Sequence, residues 1–513
     1  MASRRQTILN VGSNWTTLVL SAVVSFFLAP FIVNRLGSEA YGAWALIGSL
    51  VGYLGLVDLG VRGAVTKYVA TLHAAGDHEE AGRVSSAGLL FFGLAGLAAA
   101  LGGVVMAAFA RELFDLPPEL AEPARLAILL TGFTVALSIV GGVFGGVIVA
   151  LQRFDHLNVV EVALTLLRTV AVVVALQRGG GLVALATIQL CIAIVRTAIF
   201  ALDVPRLYPE LRVRLAGAWD RVWKVVSFGA MTSLMHVSTS LTNYSDAVII
   251  GFFMPLEAVT FFAIASTLIH QARGVVAGIS QVMAPMAGSL EGRGEMERVG
   301  HVMLTGGRLA TLAIAPVLVA FVVRGETFIR LWMGEEFAEP AGGVLALLAP
   351  GLFAFAAFQV CASTMVGIGR HRGMVPAFLL EAVVNVALCV ALIGPFGITG
   401  VAIGILLPRL AISLGFGPWY SRLVLGTPIR TYWWQTTVRP MLAVLPFAIA
   451  CRLVDDRVPT GSLWLFFGQI AALLPLAGVG AWVLSLDAAE RALVTDTVRR
   501  RWRTLGPRKE GEG

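Results

Sequence analysis

Long apolar segments separated by short polar ones recur along the whole chain. Five of these segments contain no Asp, Glu, Lys or Arg: residues 6–34, 84–110, 126–152, 341–369 and 458–486. Each is longer than the roughly 20 residues that a helix needs to cross the hydrocarbon core of a bilayer. The polar alternation over about 10 residues that is typical of a transmembrane β-strand is absent. The pattern therefore predicts an all-α integral membrane protein.

Cutting the apolar segments at charges, prolines and glycine-rich turns gives fourteen predicted transmembrane helices. They cover residues 12–34, 40–59, 84–109, 125–150, 157–177, 181–202, 222–253, 258–280, 302–323, 341–367, 375–394, 397–420, 438–453 and 462–485. The cuts at the turns 179–181 and 395–397 depend on the fewest polar residues. Losing one of these hairpins would leave twelve spans.

Lys and Arg residues are distributed unequally between the two sides that this count predicts. With the N-terminus in the cytoplasm, 25 of the 38 fall in inner loops and tails, and 7, including Arg324, fall in outer loops. Cytoplasmic loops of membrane proteins carry an excess of Lys and Arg. We therefore expect a multi-pass protein of the cytoplasmic (inner) membrane with both termini in the cytoplasm. No predicted loop is long enough to fold as a domain, so function is expected within the membrane.

Composition excludes several other classes of protein. Only 13% of the residues are charged, against about 25% in soluble proteins. The net charge of +7 does not indicate nucleic-acid binding, because the densest basic cluster, residues 499–503, follows a predicted span and is expected to contact anionic lipids. The four cysteines have neither disulfide nor zinc spacing, and no Walker-type motif for ATP occurs. No catalytic residue, metal or cofactor is predicted, and a coupling ion, Na⁺ or H⁺, stays open.

A correspondence without gaps appears when the chain is shifted by 218 residues. Residues 36–84 align with 254–302 at 11 identities in 49 positions, and both segments end in the motif G-x-x-E-x-x-G-x-V. Six predicted spans separate the copies, so both keep the same orientation in the membrane. The repeat predicts two parallel six-helix lobes, with the substrate path between them, followed by two additional helices and a basic tail. The predicted domains are 1–221, 222–437, 438–485 and 486–513.

Five segments give the chain a resemblance to a known family. They are LVDLGVRGAVTKYVATLHAAGD, NYSDAVIIGFFMPLEAVTFFAIA, GSLEGRGEMERV, RLWMGEEFAEPAGGVLALLAPG and EAVVNVALCVALIGPFGITGVAIG. With them the chain resembles the polysaccharide-export (Wzx-type) flippases of the MOP (multidrug/oligosaccharidyl-lipid/polysaccharide) superfamily.

That resemblance implies a MATE-like fold of fourteen helices and an alternating-access mechanism. The implied substrate is an oligosaccharide repeat unit linked to polyprenyl pyrophosphate, used for O-antigen, capsule or exopolysaccharide. Membrane lipids and a polysaccharide polymerase or export machinery are the implied partners.

Two other classes of membrane protein stay open. A MATE-type exporter of drugs or cations would share the fold, but such exporters usually have twelve spans and would need a cavity dominated by acids. A membrane-embedded glycan polymerase or ligase would need a sizeable external loop for its catalytic groups, and the predicted outer loops have about 15 residues or fewer.

Several arginines lie within predicted spans, where an ionisable residue costs a few kcal/mol and usually faces a cavity or a partner. They are Arg168, Arg196, Arg273, Arg308 and Arg409. They outnumber the acids Glu161, Asp246 and Glu381 within the spans. A guanidinium group binds phosphate oxygens through two parallel hydrogen bonds, so these arginines are predicted to bind the substrate pyrophosphate. The alternatives are pairing with Glu161 or Glu381 and snorkelling to the interface.

Span 7 carries a polar stripe on one helical face. Its members are Thr232, His236, Thr239, Asn243 and Asp246, at i, i+4, i+7, i+11 and i+14. We expect a wet cavity wall that hydrogen-bonds sugar hydroxyls, with Asp246 as a candidate for ion coupling. Hydrogen bonding between packed helices is the alternative.

Arg62 and Lys67 stand where span 2 leaves the membrane. The apolar spacing predicts that this span continues as one amphipathic helix beyond residue 70. Both residues are candidates for a cytoplasmic mouth that first meets the pyrophosphate. Simple pairing of Arg62 with Asp58, four residues earlier, is the alternative.

Overall fold

The computed structural model describes residues 4–58, 61–113, 116–213, 219–488, 490–492 and 495–496. Within these ranges the regular structure is entirely helical. The helices are α1 Arg4–Leu36, α2 Ser38–Leu54, α3 Val61–Ala75, α4 His78–Leu113, α5 Pro118–Ala150, α6 Phe154–Gln177, α7 Leu182–Leu207, α8 Trp219–Phe253, α9 Leu256–Glu291, α10 Met296–Met333, α11 Glu335–Gly367, α12 Val375–Leu410, α13 Gly417–Leu425, α14 Ile429–Trp433, α15 Arg439–Arg457 and α16 Leu463–Gly480. Segments of π-helix cover Ala411–Phe416, Trp434–Val438 and Ala481–Ser485.

The helices confirm the predicted all-α membrane architecture. Ten described helical stretches are long and apolar enough to cross a bilayer, and one of them, residues 371–425, contains two predicted spans. Each of the fourteen predicted spans coincides with a helix or, in α12, with part of one. The break within α12 is at Gly397, whose backbone leaves the helical region (φ 57°, ψ −142°).

The two copies of the G-x-x-E-x-x-G-x-V motif have matching backbone conformations. Gly76 and Gly294 both have a φ of 75°, the left-handed conformation in which glycine commonly ends a helix. In each copy the amide of the next residue donates to a carbonyl five residues earlier, at 3.0 Å. The same offset of 218 residues relates Gly179 (φ 83°) to Gly397. The least certain cuts in the sequence therefore correspond to real turns.

The helix predicted to continue after span 2 is instead two helices. α2 ends at Leu54 with Gly55 at its C-cap, and a short 3₁₀ segment precedes α3, which begins at Val61. The predicted amphipathic face itself is confirmed, because α3 fully buries Ala64, Val65 and Val69.

The chain forms two compact units, each made from two segments. The first unit comprises Met1–Gln271 and Arg372–Pro408, and the second comprises Ala272–His371 and Arg409–Gly513. α9 and α12 therefore contribute residues to both units. The lobes 1–221 and 222–437 stay a prediction.

Apolar packing holds each unit together. In the first unit, buried residues of α3, α4, α5 and α7 form one cluster that includes Val65, Phe92, Val147 and Phe200. In the second unit, α10, α15 and α16 share a smaller cluster around Phe447. α4 also presents an exposed apolar stripe. Its members Leu94, Leu97, Leu101 and Val105 are 50–58% exposed, as expected of a face that contacts lipid.

Candidate functional site

Helices α3, α5, α6 and α7 of the first unit line a cavity of about 120 Å³. Its polar lining consists of Arg62, Ser138, Glu161, Arg196 and Thr197. On this measure a single water needs about 10–15 Å³, so the cavity has room for a small polar group. The structure thus brings together Arg62, predicted at the cytoplasmic mouth, and Arg196, predicted within the membrane.

Arg196 is oriented by a hydroxyl and only loosely paired with an acid. Its Nη2 donates to Ser138 Oγ at 3.0 Å, whereas its Nη1 lies 3.7 Å from Glu161 Oε1. The second distance is too long for a hydrogen bond, and both side chains are one-third exposed (33%). The acid within span 5 therefore lies beside Arg196 without fully occupying its guanidinium.

Glycines of α5 give the arginine its place against the cavity wall. A Cβ at Gly142 would lie 2.7 Å from Arg62 Nη2 and 3.2 Å from Arg62 Cζ. A Cβ at Gly141 would lie 2.6 Å from Thr197 Oγ1. Only a residue without a side chain allows both groups to approach α5 so closely. On α3, Thr66 Oγ1 donates to the carbonyl of Gly146 at 3.2 Å and ties the same two helices together.

The cavity combines excess positive charge with an unused hydroxyl. Two guanidinium groups face one carboxylate, which favours an anionic ligand. The buried Oγ1 of Thr197 has no hydrogen-bond partner among the described residues. Buried polar groups are normally hydrogen-bonded, so this hydroxyl is available to a ligand or a water.

In the second unit, Arg273 of α9 and Arg409 of α12 meet at one aromatic ring. Their Cζ atoms lie 4.9 and 4.3 Å from the ring centroid of Phe355 on α11. Both distances are within the range of a cation–π interaction. These two predicted site residues are therefore brought together, although 136 positions separate them in the sequence.

Arg308 lies in a buried ion cluster. Its side chain is fully buried and donates to Asp487 at 3.1 Å, to Glu490 at 2.5 Å and to Gln435 at 3.1 Å. Arg439 also binds Asp487, at 3.2 Å. Burial raises the pKa of the Asp487 carboxyl, but the neighbouring arginines outweigh burial and hold that pKa below its ordinary value. The charge of Arg308 is thus balanced within the second unit.

Arg324, which the sequence assigned to an outer loop, is instead 1% exposed within α10. It donates to Asp455 at 2.9 Å and to Gln469 at 2.8 Å, and its Cζ lies 4.8 Å from the ring of Phe466. The helix continues past the charge at which the span was cut. Arg308 and Arg324 together fasten α10 to residues of α15, α16 and the segment after them.

The remaining basic candidates lie outside the cavity lining. Arg168 is half-buried on α6, two turns beyond Glu161, and Lys67 is exposed on α3. The structure does not bring either of them into the cavity with Arg62 and Arg196.

The polar stripe of span 7 lies on α8 and is described in part. The side chains of Thr232 and His236 lie outside the described residues. Thr239 is exposed, Asn243 is partly buried and Asp246 is 9% exposed. The Oδ1 of Asp246 accepts a hydrogen bond from the amide of Ala247 at 2.8 Å.

Sequence reasoning missed the small residues of the cavity. Gly141, Gly142 and Gly145 of α5, with Ser138 one turn earlier, line it beside the arginines. The signal was present as the segment GGVFGG at 141–146, since small residues at helical spacing within a span are typical of close helix contacts.

The sequence matches known proteins over nearly its whole length. The family described as "Polysaccharide biosynthesis protein" matches residues 83–341, just over half of the chain. The membrane protein EpsK of Bacillus subtilis is 22% identical over 503 residues, covering 96% of this chain and 98% of EpsK. A protein of Shigella flexneri named as an O-antigen transporter is 19% identical, covering 73% of this chain and 88% of its own length. One of Haloferax volcanii named as flippase AglR is 23% identical, covering 80% and 81%.

Solved structures share the fold at low sequence identity. The lipid II flippase MurJ in an inward closed conformation has a TM-score of 0.71 at 12% identity, covering 92% of this chain and 98% of MurJ. An inward-facing multidrug resistance MATE transporter of the MOP superfamily has a TM-score of 0.67 at 16% identity, covering 79% and 94%. The chain therefore belongs to the polysaccharide biosynthesis protein family, whose members are multi-pass membrane flippases and O-antigen transporters of the MOP superfamily.

Proposed function

We propose that the protein moves an oligosaccharide linked to polyprenyl pyrophosphate across the cytoplasmic membrane, for the biosynthesis of a surface polysaccharide. The observation that carries the proposal is the cavity that Arg62 and Arg196 share with one carboxylate. Its excess positive charge favours an anionic group over a neutral sugar or an organic cation. The pyrophosphate is the anionic group of such a substrate.

The donors in the cavity suit phosphate oxygens. A guanidinium offers two parallel hydrogen bonds to a phosphate, and Ser138 holds Arg196 by one nitrogen while leaving its others available. Thr197 supplies a hydroxyl that has no partner among the described residues. The volume of about 120 Å³ limits the occupant to a small group, so the glycan and the polyprenyl chain lie outside this cavity.

The other arginines have separate roles in the proposal. Lys67, exposed on the same helix as Arg62, would attract the headgroup before it enters the cavity. Arg168, Arg273 and Arg409 would contact the pyrophosphate at other stages of an alternating-access cycle. Arg308 is left out of the substrate site because two carboxylates already bind it.

Ion coupling is assigned to α8 in this proposal. Asp246 is a buried acid on a helix that also carries Thr239 and Asn243. A buried carboxylate within a span is expensive and typically functional. We place the coupling Na⁺ or H⁺ at Asp246, with sugar hydroxyls contacting the polar side chains nearer the start of the helix.

Export of organic cations is the second candidate, because MATE transporters share the fold. An organic cation needs negative charge in its cavity, and the described cavity has two guanidinium groups for one carboxylate. A cell that lacks the gene should distinguish the two functions. Loss of a surface polysaccharide supports the flippase, whereas loss of resistance to cationic drugs with the polysaccharide intact supports the exporter.

Complementation of that cell tests the cavity itself. Wild-type protein should restore the polysaccharide, while Arg62→Ala and Arg196→Ala should reduce export at least tenfold at equal amounts in the membrane. Arg83→Ala is the matched control, since Arg83 is 55% exposed and pairs only with Glu79 one turn away. Full export by both cavity variants would contradict the proposal.

A further inference from the structure

The ring of Phe355 lies within interaction distance of two arginines from other helices. The Cζ atoms of Arg273 and Arg409 are 4.9 and 4.3 Å from the ring centroid, so these two atoms can be no more than about 9 Å apart. Like charges at this separation repel each other. A group that attracts both is needed to keep them together, and the face of an aromatic ring attracts cations.

The protein core fixes the position of this ring. Phe355 is 5% exposed, and its centroid lies 5.8 Å from that of Phe358, one turn further along α11. Phe358 is fully buried, and it packs so closely against Gly417 that a Cβ there would lie 2.7 Å from the Phe358 ring. The aromatic pair is therefore set by core packing, and the arginines adapt to the ring.

The backbone beside Arg409 is also unusual. The π-helical segment Ala411–Phe416 begins two residues after Arg409. Such segments have poorer hydrogen-bond geometry than an α-helix and occur frequently at functional sites. Here the segment follows directly on the residue that contacts the ring.

An aromatic ring orients a guanidinium without cancelling its charge. Arg308 shows the opposite arrangement in the same unit, where Asp487 and Glu490 balance the charge. We propose that Phe355 is a positioning residue that holds Arg273 and Arg409 to bind the two phosphates of a diphosphate headgroup. This inference rests on the proposed function and adds to it the residue that arranges the second pair of arginines.

The chemistry of the ligand follows from the pair. A diphosphate presents oxygens on two phosphorus atoms, so each guanidinium can bind one phosphate through parallel hydrogen bonds. A monophosphate gives the pair only one phosphorus to share. The arrangement therefore predicts a preference for diphosphate-linked over monophosphate-linked substrates.

The test compares Phe355→Leu with Phe355→Tyr in the purified full-length protein. Leucine keeps an apolar side chain but removes the aromatic face, whereas tyrosine keeps that face. In proteoliposomes, Phe355→Leu should raise the apparent KM for a polyprenyl-pyrophosphate oligosaccharide about five- to tenfold, the scale of a lost cation–π contact at a buried site. Its maximal rate should change less than twofold, and Phe355→Tyr should restore the wild-type KM. Phe353→Leu is the matched control, because Phe353 of the same helix packs against the apolar cluster of α10, α15 and α16.

Binding of inorganic pyrophosphate to the same proteins gives a readout that does not depend on transport. Phe355→Leu should weaken this binding by the same factor, and Phe355→Tyr and Phe353→Leu should not. Equal losses in Phe355→Leu and Phe353→Leu, or equal losses in the leucine and tyrosine variants, would overturn the positioning role. Absence of pyrophosphate binding to wild type would overturn it as well. If wild type binds pyrophosphate with the predicted variant pattern but transports no lipid-linked oligosaccharide, the proposed function fails while the positioning role stands.

Discussion

Replacing Arg308 by methionine should destabilise the second unit, because two acidic side chains depend on this buried charge. Arg308 is fully buried on α10 and binds Asp487 and Glu490, which follow α16. Methionine keeps much of the length and apolar stem of the side chain. The loss in stability therefore reports chiefly on the ion cluster and not on an empty cavity.

The size of the effect follows from the surroundings of the two carboxylates. Removing one partner of a buried ion pair costs about 3–5 kcal/mol. Asp487 is 43% exposed and keeps Arg439 at 3.2 Å, and Glu490 is 20% exposed. Water and Arg439 compensate in part, so we expect the low end, about 3 kcal/mol. For a unit of about 200 residues, this corresponds to a fall of roughly 6–12 °C in the midpoint of thermal unfolding.

The difference between wild type and variant should also depend on pH. The pKa of Asp487 in the folded protein lies below its ordinary value because of Arg308 and Arg439, despite burial. Its contribution to stability is therefore fully present above the unfolded pKa of about 3.9 and is lost as the pH falls through the folded pKa. The gap between wild type and Arg308→Met should be constant from pH 7 to about 5 and should shrink below pH 4.

Thermal unfolding in detergent, followed through the fluorescence of the 11 tryptophans, measures both effects. Arg330→Met is the matched control on the same helix. Arg330 is 47% exposed and pairs with Glu335, which is 78% exposed, and an exposed pair contributes at most about 1 kcal/mol. If Arg308→Met and Arg330→Met unfold at the same temperature, or if the gap for Arg308→Met grows in acid, the reasoning about the buried cluster is wrong.

Three further predictions concern the first unit. Gly142→Ala should lower transport at least fivefold, because its Cβ would lie 2.7 Å from Arg62 Nη2, whereas Gly145→Ala, whose Cβ meets only a ring at 3.9 Å, should transport normally; equal activities would contradict the role of the glycine wall. Glu161→Gln should lower the apparent KM about two- to fivefold by removing the acid that competes with the anionic ligand at a partly exposed site, and a raised KM measured in the same assay would contradict it. Asp246→Asn should remove the dependence of transport on an imposed Na⁺ or H⁺ gradient, and unchanged dependence would exclude coupling at this residue.

Much of the fold could be predicted because the bilayer imposes a simple rule on sequence. A span has to be about 20 apolar residues long, so segments such as 126–152 are evident without any knowledge of tertiary contacts. The turns were also visible, since Gly76, Gly294 and Gly397 occupy left-handed conformations that glycine adopts at little cost. Charges were less dependable as boundaries. α10 continues through Arg324, because Asp455 and Gln469 satisfy that charge inside the protein.

The site was harder to predict because its groups meet through tertiary packing. Arg196 and Arg308 look alike in the sequence, as single arginines within spans. One has a serine and a distant acid beside it, and the other has two carboxylates about 180 residues further along the chain. Nothing local to either residue distinguishes these surroundings. The pairing of Arg273 with Arg409 through Phe355 likewise needs three helices in register, which periodicity within one helix does not reveal.

The central claim is that Arg62 and Arg196 recognise the pyrophosphate of a lipid-linked oligosaccharide. The most direct measurement compares transport of the same oligosaccharide on a polyprenyl diphosphate and on a polyprenyl monophosphate, in proteoliposomes that contain wild type or Arg62→Ala/Arg196→Ala. We predict that wild type prefers the diphosphate at least tenfold and that the double variant transports the diphosphate substrate at least tenfold more slowly. Equal transport of the diphosphate substrate by wild type and double variant would contradict the account.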